Sequence, residues 1–472
     1  MTRDGRRRKR LLPKAPTGIT GLDEITGGGL PRKRATLVCG GPGSGKTLLA
    51  TQFLAHGALE YGEPGVFMSF EERPEELAEN SRSIGVDLED LRARKLFLPD
   101  YVHIDRSEIV ESGGYDLDGL FIRLGHAIKT IGAKRVVLDT IEMLFSGLSD
   151  AFALRAELQR LFQWLKAKGV TTIVTGERVG NGLTRHGLEE YLTDCVILLD
   201  QRVSEKQTTR RLRILKYRGS AHGNNEFPFL IGDHGLSVVP ITSLRLDYPA
   251  PTENVSTGVA GLDEMFRNRG YFRGDSVLVS GTAGTGKSSL AVHFADATCR
   301  RGERCLYFAF EESMNQITRN MRSIGIDLEP WSRQGLLRVH AQRPTAYGLE
   351  SHLAAMHELI DHWLPNVVVV DPVTSLIAVG SEHEVKLMLA RFIDFMKSRQ
   401  ITVLFTSLTD TGGPAERTDV GVSSLMDVWM LLGNLDAKGE RTRGIQIVKA
   451  RGVAHSSEVR EFALTDRGLA LQ

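Results

Sequence analysis

The sequence has little of what would hold a small secreted fold together or draw a protein to nucleic acid. Only four cysteines occur in 472 residues, and none forms the close pair that is typical of a zinc site. Lys and Arg number 59 against 58 for Asp and Glu, so the net charge of +1 supplies no general attraction to DNA or to an anionic membrane. No run of eighteen apolar residues is present, and the basic N-terminus leads into no apolar signal core. These absences argue against a disulfide framework, a membrane span and export, and we expect a cytoplasmic protein.

What the sequence has instead is an internal repeat. Residues 17–24 (TGITGLDE) return as residues 257–264 (TGVAGLDE), and residues 82–89 (RSIGVDLE) return as residues 322–329 (RSIGIDLE), both with a shift of 240. Self-similarity over this distance indicates two homologous domains in tandem.

The boundaries follow from proline and charge. Two prolines interrupt any regular element near residues 246–252, so we predict a first domain at 15–248 and a second at 249–472. Residues 1–14 are basic and lack aromatic side chains that could stack on bases, which favours a flexible arm over a site for DNA or a partner.

Each copy contains a glycine-rich loop that ends in lysine and a hydroxyl residue. Residues 40–47 read GGPGSGKT and residues 281–288 read GTAGTGKS, each between an apolar strand and a helix-forming stretch. Such a loop turns backbone amides onto phosphates at a helix N-terminus, the lysine reaches the β- and γ-phosphates, and the hydroxyl is placed to hold Mg²⁺. A flexible turn that contains lysine by chance is the alternative, but two matches in one context favour ATP binding in both domains. The predicted nucleotide-binding residues are Gly43, Ser44, Gly45, Lys46 and Thr47 in the first copy and Gly284, Thr285, Gly286, Lys287 and Ser288 in the second.

Short apolar runs alternate with helical stretches in both copies. The runs at residues 65–70, 135–138 and 171–175 recur at 305–310, 367–370 and 401–406. This alternation predicts an α/β fold, with a mainly parallel sheet flanked by helices in each of two P-loop domains.

Acidic residues follow two of these runs. The pairs Glu71–Glu72 and Glu311–Glu312 end one strand in each copy and could act as general bases, although a single such pair could equally be a solvated acidic corner. Asp139 and Asp371 end the next strand, where an aspartate supports the magnesium shell of many nucleotide sites.

A cationic segment closes each copy. Lys216, Arg218 and His222 have the same spacing as Lys449, Arg451 and His455. As single charges they would be ordinary surface residues, but their repetition favours a clamp on the charge that develops at the γ-phosphate.

Together these motifs closely resemble the KaiC family of circadian clock proteins, which are double-domain RecA-like ATPases. The resemblance covers about residues 15–468 and includes residues 417–427 (RTDVGVSSLMD). In that family the corresponding segment accepts phosphate from ATP, which implies Ser423 and Ser424 as phosphorylation sites, with Ser424 standing where well-known relatives have threonine. Glu190 and Tyr191 occupy the matching place in the first copy. The resemblance therefore implies an ATPase in the first domain and an autokinase with autophosphatase activity in the second.

The same resemblance implies an assembly. It predicts a homohexameric double ring with ATP between subunits and the Lys-Arg clamp supplied to the neighbour. It leaves a KaiB-like partner on the first ring open, whereas regulation by KaiA is doubtful because the chain stops at Gln472, before the tail that binds KaiA.

Two other functions remain as alternatives at this stage. A related signalling ATPase could autophosphorylate without keeping time, since oscillation is a property of a system rather than of a residue. A DNA-dependent recombinase-type ATPase is the third, but the balanced charge and the lack of a basic, aromatic-rich loop argue against nucleic acid.

Overall fold

The chain divides into two compact units, Met1–Ser243 and Leu244–Gln472, which we call unit 1 and unit 2. The computed structural model describes residues 12–102, 117–144, 151–178, 182–184, 192–204, 207–223, 225–232, 234–240, 250–267, 269–346, 348–409, 422–437 and 440–472. Residues 1–11 of the predicted arm, residues 246–249 of the predicted joint at 246–252, and Glu190 and Tyr191 lie outside these ranges.

Unit 1 is built on a sheet of nine strands in the order β11-β10-β9-β8-β3-β7-β6-β4-β5, beside a two-stranded pair of β1 and β2. Its strands are β1 (Lys14–Ala15), β2 (Leu30–Pro31), β3 (Ala35–Gly40), β4 (Gly65–Ser69), β5 (Phe97–Tyr101), β6 (Arg135–Asp139), β7 (Thr171–Glu177), β8 (Cys195–Ser204), β9 (Gln207–Tyr217), β10 (Glu226–Gly232) and β11 (Gly235–Val238). Its helices are α1 (Leu22–Ile25), α2 (Lys46–Tyr61), α3 (Pro74–Arg82), α4 (Leu88–Ala93), α5 (Asp118–Ile131), α6 (Ile141–Leu144) and α7 (Ala151–Lys168).

Unit 2 repeats this arrangement, with the sheet order β16-β15-β17-β18-β14-β19-β20-β21-β22 and a pair of β12 and β13. Its strands are β12 (Asn254–Val255), β13 (Tyr271–Phe272), β14 (Ser276–Gly281), β15 (Cys305–Ala309), β16 (Leu337–Ala341), β17 (Val367–Asp371), β18 (Thr402–Leu408), β19 (Val428–Ala437), β20 (Glu440–Ala450), β21 (Arg460–Thr465) and β22 (Gly468–Leu471). Its helices are α8 (Ala260–Met265), α9 (Lys287–Arg300), α10 (Met314–Arg322), α11 (Glu329–Arg333), α12 (Leu349–Trp363) and α13 (Glu382–Ser398), with 3-10 turns at Pro344–Ala346 and Val373–Val379.

The central strands are parallel and buried on both faces, as their continuous apolar runs predict. In β6, Val137 packs in a core with Phe53 of α2, whereas its neighbours Val136 and Leu138 pack in a second core with Leu158 of α7. The predicted α/β fold with two tandem domains is therefore confirmed. The sequence did not indicate that strands β8 to β11, and likewise β19 to β22, pair antiparallel.

Glycines fix the turn from strand to helix at each phosphate-binding loop. Gly45 has φ of 96° and Gly286 has φ of 100°, and the helix begins at the next residue, Lys46 or Lys287. Side chains other than glycine rarely adopt such positive φ angles. The loop sequence therefore sets the point at which the helix N-terminus opens.

In the described part of the chain, no helix is long and apolar enough to cross a membrane.

Candidate functional site

The two lysines of the glycine-rich loops are folded back onto their own loops. Lys46 Nζ donates to the carbonyl oxygens of Gly40 and Gly41 at 3.0 Å each, and Lys287 Nζ donates to those of Gly281 and Thr282 at 2.8 Å. Burial lowers the pKa of Lys287, and Asp371 and Glu311 oppose that shift.

Both loops leave open space where phosphate would lie. A Cβ atom built at Gly41, Gly43 or Gly284 would meet nothing within 4 Å. The Oγ atom of Ser44 is buried and has no hydrogen-bond partner among the described residues. Backbone amides at a helix N-terminus, together with this buried hydroxyl, suit the binding of an anion.

In unit 1 the loop hydroxyl and the strand aspartate are in contact. Thr47 Oγ1 donates to Oδ2 of Asp139 at 2.9 Å, and Thr175 Oγ1 of the next strand donates to Oδ1. Burial raises the pKa of Asp139, which the hydrogen bonds from Thr175 and Thr47 oppose.

In unit 2 the corresponding aspartate has a different partner. Tyr307 of β15 donates its hydroxyl to Oδ2 of Asp371 at 2.5 Å, while Thr406 donates to Oδ1. Burial raises the pKa of Tyr307 well above its usual value, so the hydroxyl keeps its proton and remains a donor.

The glutamate pairs are held at the same edge of each sheet. Thr140 donates to Glu71 at 3.1 Å, and Ser375 donates to Glu311 at 2.7 Å. The second glutamate of each pair accepts from an asparagine side chain: Glu72 from Asn80 at 3.1 Å, and Glu312 from Asn320 at 2.9 Å.

Glu72 also has a perturbed environment. Its Oε2 atom is buried without a partner in the described residues, and burial followed by the charge of Asp139 raises its pKa. A carboxylate with a free oxygen and a raised pKa has the properties of a general base.

Unit 2 gathers its predicted site residues around one cavity of about 390 Å³. Its polar lining residues are Lys287, Ser288, Ser289, Glu311, Glu312, Asn320 and Asp371. The side-chain oxygen atoms of Ser288, Glu311, Glu312 and Asp371 suit Mg²⁺, which prefers hard oxygen ligands. Mg²⁺ usually keeps water and substrate phosphates as most of its ligands. The described residues contain no group of three or more His, Cys, Asp or Glu side chains that could hold a metal ion.

The cationic segment of unit 2 lies at the amino-terminal ends of the parallel strands, whereas the glycine-rich loop lies at their carboxyl-terminal ends. We call these two ends the amino edge and the carboxyl edge of the sheet. Strand β19 is parallel to β14, and Asp427, just before β19, hydrogen-bonds to Ser276 at the start of β14. The glycine-rich loop follows Gly281 at the end of β14. Five residues of strand separate the two edges by about 17 Å at ~3.3 Å per residue.

At this edge the clamp residues Lys449 and Arg451 hold the turn at residues 423–425, which we call the serine turn. Lys449 Nζ donates to the carbonyl oxygen of Ser423 at 3.2 Å, and Arg451 Nη2 donates to that of Ser424 at 3.1 Å. Ser424 is exposed and Ser423 is half-buried. Asp427 then fixes the end of the turn, because its carboxylate accepts from Ser276 N at 3.0 Å and pairs with Lys397 Nζ at 2.8 Å.

Unit 1 has the same separation. Arg218 N donates to the Asp194 carbonyl at 2.8 Å, and Asp194 N donates to that of Ala35, at the start of β3. Lys216 pairs with Val196 in the register of β8 and β9, so it too lies far from the loop after Gly40. The structure thus groups the predicted residues into two sets in each unit: loop, aspartate and glutamates at one edge, and the cationic segment at the other. His222 and His455 belong to the second set by sequence, and His455 Nδ1 lies 3.2 Å from the carbonyl oxygen of Val453.

Several residues at these sites were not singled out from the sequence. They are Asn80 and Asn320 on the glutamates, Thr175, Thr406 and Tyr307 on the aspartates, and Lys397 on Asp427. The recurrence of Asn80 at residue 320 could have identified the asparagines, since both lie at the shift of 240 that relates the two copies.

Comparison with known proteins gives one consistent result. The family model described as "ATPase: KaiC" matches residues 15–243 and again residues 255–472. The chain is 54% identical over 462 residues to the circadian clock protein KaiC2 of Synechocystis sp., covering 98% of this chain and 81% of that protein. It is 37% identical over 467 residues to KaiC3 of the same organism, covering 97% and 91%. It is also 37% identical over 461 residues to the circadian clock oscillator protein KaiC of Synechococcus elongatus, covering 97% and 88%.

Proposed function

The chain belongs to the KaiC family of ATPases, and from that membership we propose a division of labour between its two nucleotide-binding units. Unit 1 hydrolyses ATP, and unit 2 transfers the γ-phosphate of ATP to serine on a second copy of the chain and removes it again. This makes the protein a clock or clock-like signalling component whose signalling state depends on phosphorylation of Ser423 and Ser424.

In unit 1, we assign Lys46 to the β- and γ-phosphates and Thr47 with Asp139 to Mg²⁺. Bound magnesium would neutralise charge on the phosphates. Glu71 or Glu72 would orient the attacking water and take up its proton. Support comes from the 2.9 Å contact between Thr47 and Asp139 and from the free buried oxygen of Glu72.

In unit 2, Lys287, Ser288 and Asp371 have the matching roles, and Glu311 or Glu312 would take the proton of the acceptor hydroxyl. The nucleophile is then Ser423 or Ser424 rather than water. The choice between kinase and ATPase depends on which oxygen comes within about 3 to 3.5 Å of the γ-phosphorus.

One observation carries this proposal. The acceptor serines and the clamp cations are joined by hydrogen bonds of 3.2 and 3.1 Å, at the edge of the sheet opposite their own glycine-rich loop. Whatever γ-phosphate Lys449 and Arg451 contact, the backbone of Ser423 and Ser424 therefore lies beside it. Since their own nucleotide site is at the other edge, the phosphate belongs to another copy.

This arrangement supports a closed ring. A head-to-tail interface, with one edge of each unit facing the opposite edge of the next, closes into a ring when the rotation permits. We propose a homohexamer with ATP at each interface, onto which a KaiB-like partner would bind through the unit 1 ring. No disulfide links the four cysteines, all of which lie in described residues, and ATP is the proposed substrate, which together favour the cytoplasm.

The test is phosphosite mass spectrometry after incubation with magnesium and ATP. The parent should carry phosphate on Ser423 or Ser424, and Glu311→Gln/Glu312→Gln should not. The matched control is Glu71→Gln/Glu72→Gln, which should lose unit 1 hydrolysis and keep the phosphate. Hydrolysis without any phosphate on either serine would reject the autokinase and leave a tandem ATPase.

A further inference from the structure

The outermost strand of the unit 2 sheet has one side that is paired with no described strand. Within the described part of the chain, β16 is hydrogen-bonded to β15 alone. Cys305 N of β15 donates to the carbonyl oxygen of Leu336 at 2.8 Å, so the even-numbered residues of β16 direct their peptide groups towards β15. Because peptide groups alternate along a strand, Val339 and Ala341 turn their N–H and C=O groups outward. The outer side of β16 is therefore an open template for one further strand.

Unit 1 closes the same side of its sheet. Its outermost strand, β5, has Pro99 at the register position where β16 has Val339. Proline has no backbone N–H, and on the outer side of a last strand it breaks no bond of the ladder. Arg123 Nη2 donates to the carbonyl oxygen of Tyr101 at 2.8 Å and so occupies the next outward acceptor. The two units therefore differ in whether this side can accept a strand.

A groove of about 330 Å³ lies along β16. Met314, Leu337, Val339 and Trp363 give it apolar surface, and Arg338 supplies a cation. Since side chains alternate along a strand, Val339 and Arg338 lie on opposite faces of the sheet. An added strand would therefore meet an apolar environment on one face and a positive charge on the other.

The charge at this groove selects the kind of strand. Arg338 is exposed and forms no ion pair with a described residue. The Arg304 guanidinium lies 5.7 Å from the centroid of the Trp363 ring, which brings a second cation to the groove. A second copy of β16 would add its own Arg338 to this positive region, whereas opposite charges on paired strands attract. The groove therefore favours an acidic strand over a second copy of the chain.

We propose that β16 is a docking site for an extended, acidic segment of a partner protein. The segment adds to the sheet through main-chain hydrogen bonds at Val339 and Ala341. Its apolar side chains lie on the face of Val339, and its carboxylates lie on the face of Arg338. In recognition of this kind, the main-chain bonds provide affinity and the side-chain contacts provide specificity.

The experiment uses the full chain and a short fluorescent peptide in which valine and glutamate alternate. Fluorescence anisotropy measures binding, and hydrogen exchange followed by mass spectrometry shows where the peptide lies. We expect amide exchange at residues 337–341 to slow when the peptide binds. Binding should weaken as the salt concentration rises, and a peptide that alternates valine and lysine should not bind.

Two substitutions separate the main-chain bonds from the charge. Val339→Pro should abolish binding, because it removes the outward N–H as Pro99 does in unit 1. Val339→Thr keeps the N–H and nearly the same volume, so this matched control should bind the peptide. Arg338→Glu should weaken binding by about tenfold or more, since like charges then oppose each other across the strands. If Val339→Pro does not fold by circular dichroism, the exchange protection and Arg338→Glu decide.

Three results would overturn the inference: no binding of the valine–glutamate peptide, binding without slower exchange at residues 337–341, or equal binding by folded Val339→Pro. A second copy as the occupant would also contradict it. That result would appear as growth of the assembly with protein concentration, which Val339→Pro removes. Failure of the proposed autokinase is distinguishable, because it would leave Ser423 and Ser424 unmodified in mass spectra without changing peptide binding.

Discussion

Arg135 is a fully buried cation within the core of unit 1. Its Nε atom pairs with Glu63 at 2.7 Å, Nη1 donates to the carbonyl oxygen of Phe53 at 2.7 Å, and the guanidinium lies 4.4 Å from the centroid of the Phe53 ring. Although burial opposes it, the hydrogen bonds from Arg32 and Arg135 lower the pKa of Glu63.

Removing the Glu63 carboxylate should therefore lower the free energy of unfolding more than removing the Arg135 guanidinium. We expect Glu63→Ala to lower the free energy of unfolding of unit 1 by about 3–5 kcal/mol, because a buried charge is left without its partner. Arg135→Met keeps the volume without a buried charge and should cost less. Denaturant unfolding of the two variants measures the difference, and a Glu63→Ala effect under ~1 kcal/mol would contradict the burial argument.

Asp275 gives unit 2 a pH dependence. Burial, with the charge of Asp427 second, raises its pKa from 3.8 to about 7. The folded pKa lies above the unfolded one, so the folded state holds the proton more tightly. The contribution of Asp275 to stability is therefore present below about pH 4 and is lost as the pH rises towards 7.

Asp275→Asn should remove this dependence. We expect the variant to be more stable than the parent at pH 8, by at most about 4 kcal/mol at ~1.4 kcal/mol per pKa unit, and equal to it near pH 3. Asparagine keeps an acceptor for the backbone N–H of Phe272, which Asp275 binds at 3.1 Å. Thermal unfolding at several pH values tests this, with the exposed Asp466→Asn as control. A constant gap across the pH range would disprove the assignment.

At this scale the sequence predicted candidate residues for the chemistry but not the contacts that hold them in place. The loops, aspartates and glutamates could be found because their types and spacing recur between the copies. Tyr307 could not be found in this way. Its hydroxyl donates to Asp371 of the neighbouring strand, which the sequence does not show, and the matching residue in the first copy is Phe67, so the pattern does not recur. Arg135 was equally hidden, since a strand that begins with arginine ordinarily exposes it.

The serine turn and helix α13 form the next level of organisation. Asp427 accepts from Ser276 N and Ser276 Oγ, and Lys397 near the end of α13 pairs with it at 2.8 Å. Although burial opposes it, the hydrogen bonds from Lys397 and Ser276 lower the pKa of Asp427. The turn is thereby anchored to two elements at once.

Lys397→Met should loosen this anchor. We expect serine phosphorylation to slow by roughly tenfold or more, because a misplacement of about 1 Å can cost about 100-fold in rate. ATP binding should not change, since Lys397 lies at the other edge of the sheet from the nucleotide loop.

The first copy offers the matched control for that substitution. Lys166 occupies the corresponding place in α7 but is exposed, and Asp194 is held instead by Arg34 at 3.1 Å. Lys166→Met should leave phosphorylation intact. Equal slowing by both variants would indicate a general loss of stability, and a drop in ATP affinity with Lys397→Met would assign it a different role.

The order of strands was only partly predictable at the level of elements. Alternation of apolar runs with helices predicted the parallel strands around β3 and β14. The sequence did not predict that strands β8 to β11 and β19 to β22 are antiparallel. Charged and apolar residues are mixed along these strands, so hydrophobic periodicity alone does not show where one strand ends and the next begins. Those strands nevertheless carry the clamp residues to the amino edge of the sheet.

Across the whole molecule, the separation of the nucleotide loop from the serines predicts which subunit supplies the ATP and which subunit is phosphorylated. A subunit that lacks Lys287 cannot hold ATP in its own unit 2 but still has Ser423, Ser424, Lys449 and Arg451. A subunit with Lys449→Ala/Arg451→Ala holds ATP but supplies no clamp. If the clamp and the serines act on the neighbour's nucleotide, the first subunit should be phosphorylated by the ATP of the second.

Co-expression of these two variants, distinguished by mass tags, tests that direction. Each alone should be nearly inactive in serine phosphorylation, because a cation at the γ-phosphate is worth about 10³- to 10⁵-fold. Together they should recover activity at roughly a quarter of the interfaces if subunits mix at random around a closed ring. The phosphate should appear on the Lys287→Ala subunit. Two results would contradict this direction: phosphate on the clamp-deficient subunit, or no recovery of phosphorylation in rings shown to contain both variants. Either would mean that the serines do not receive phosphate from ATP bound to the neighbouring subunit.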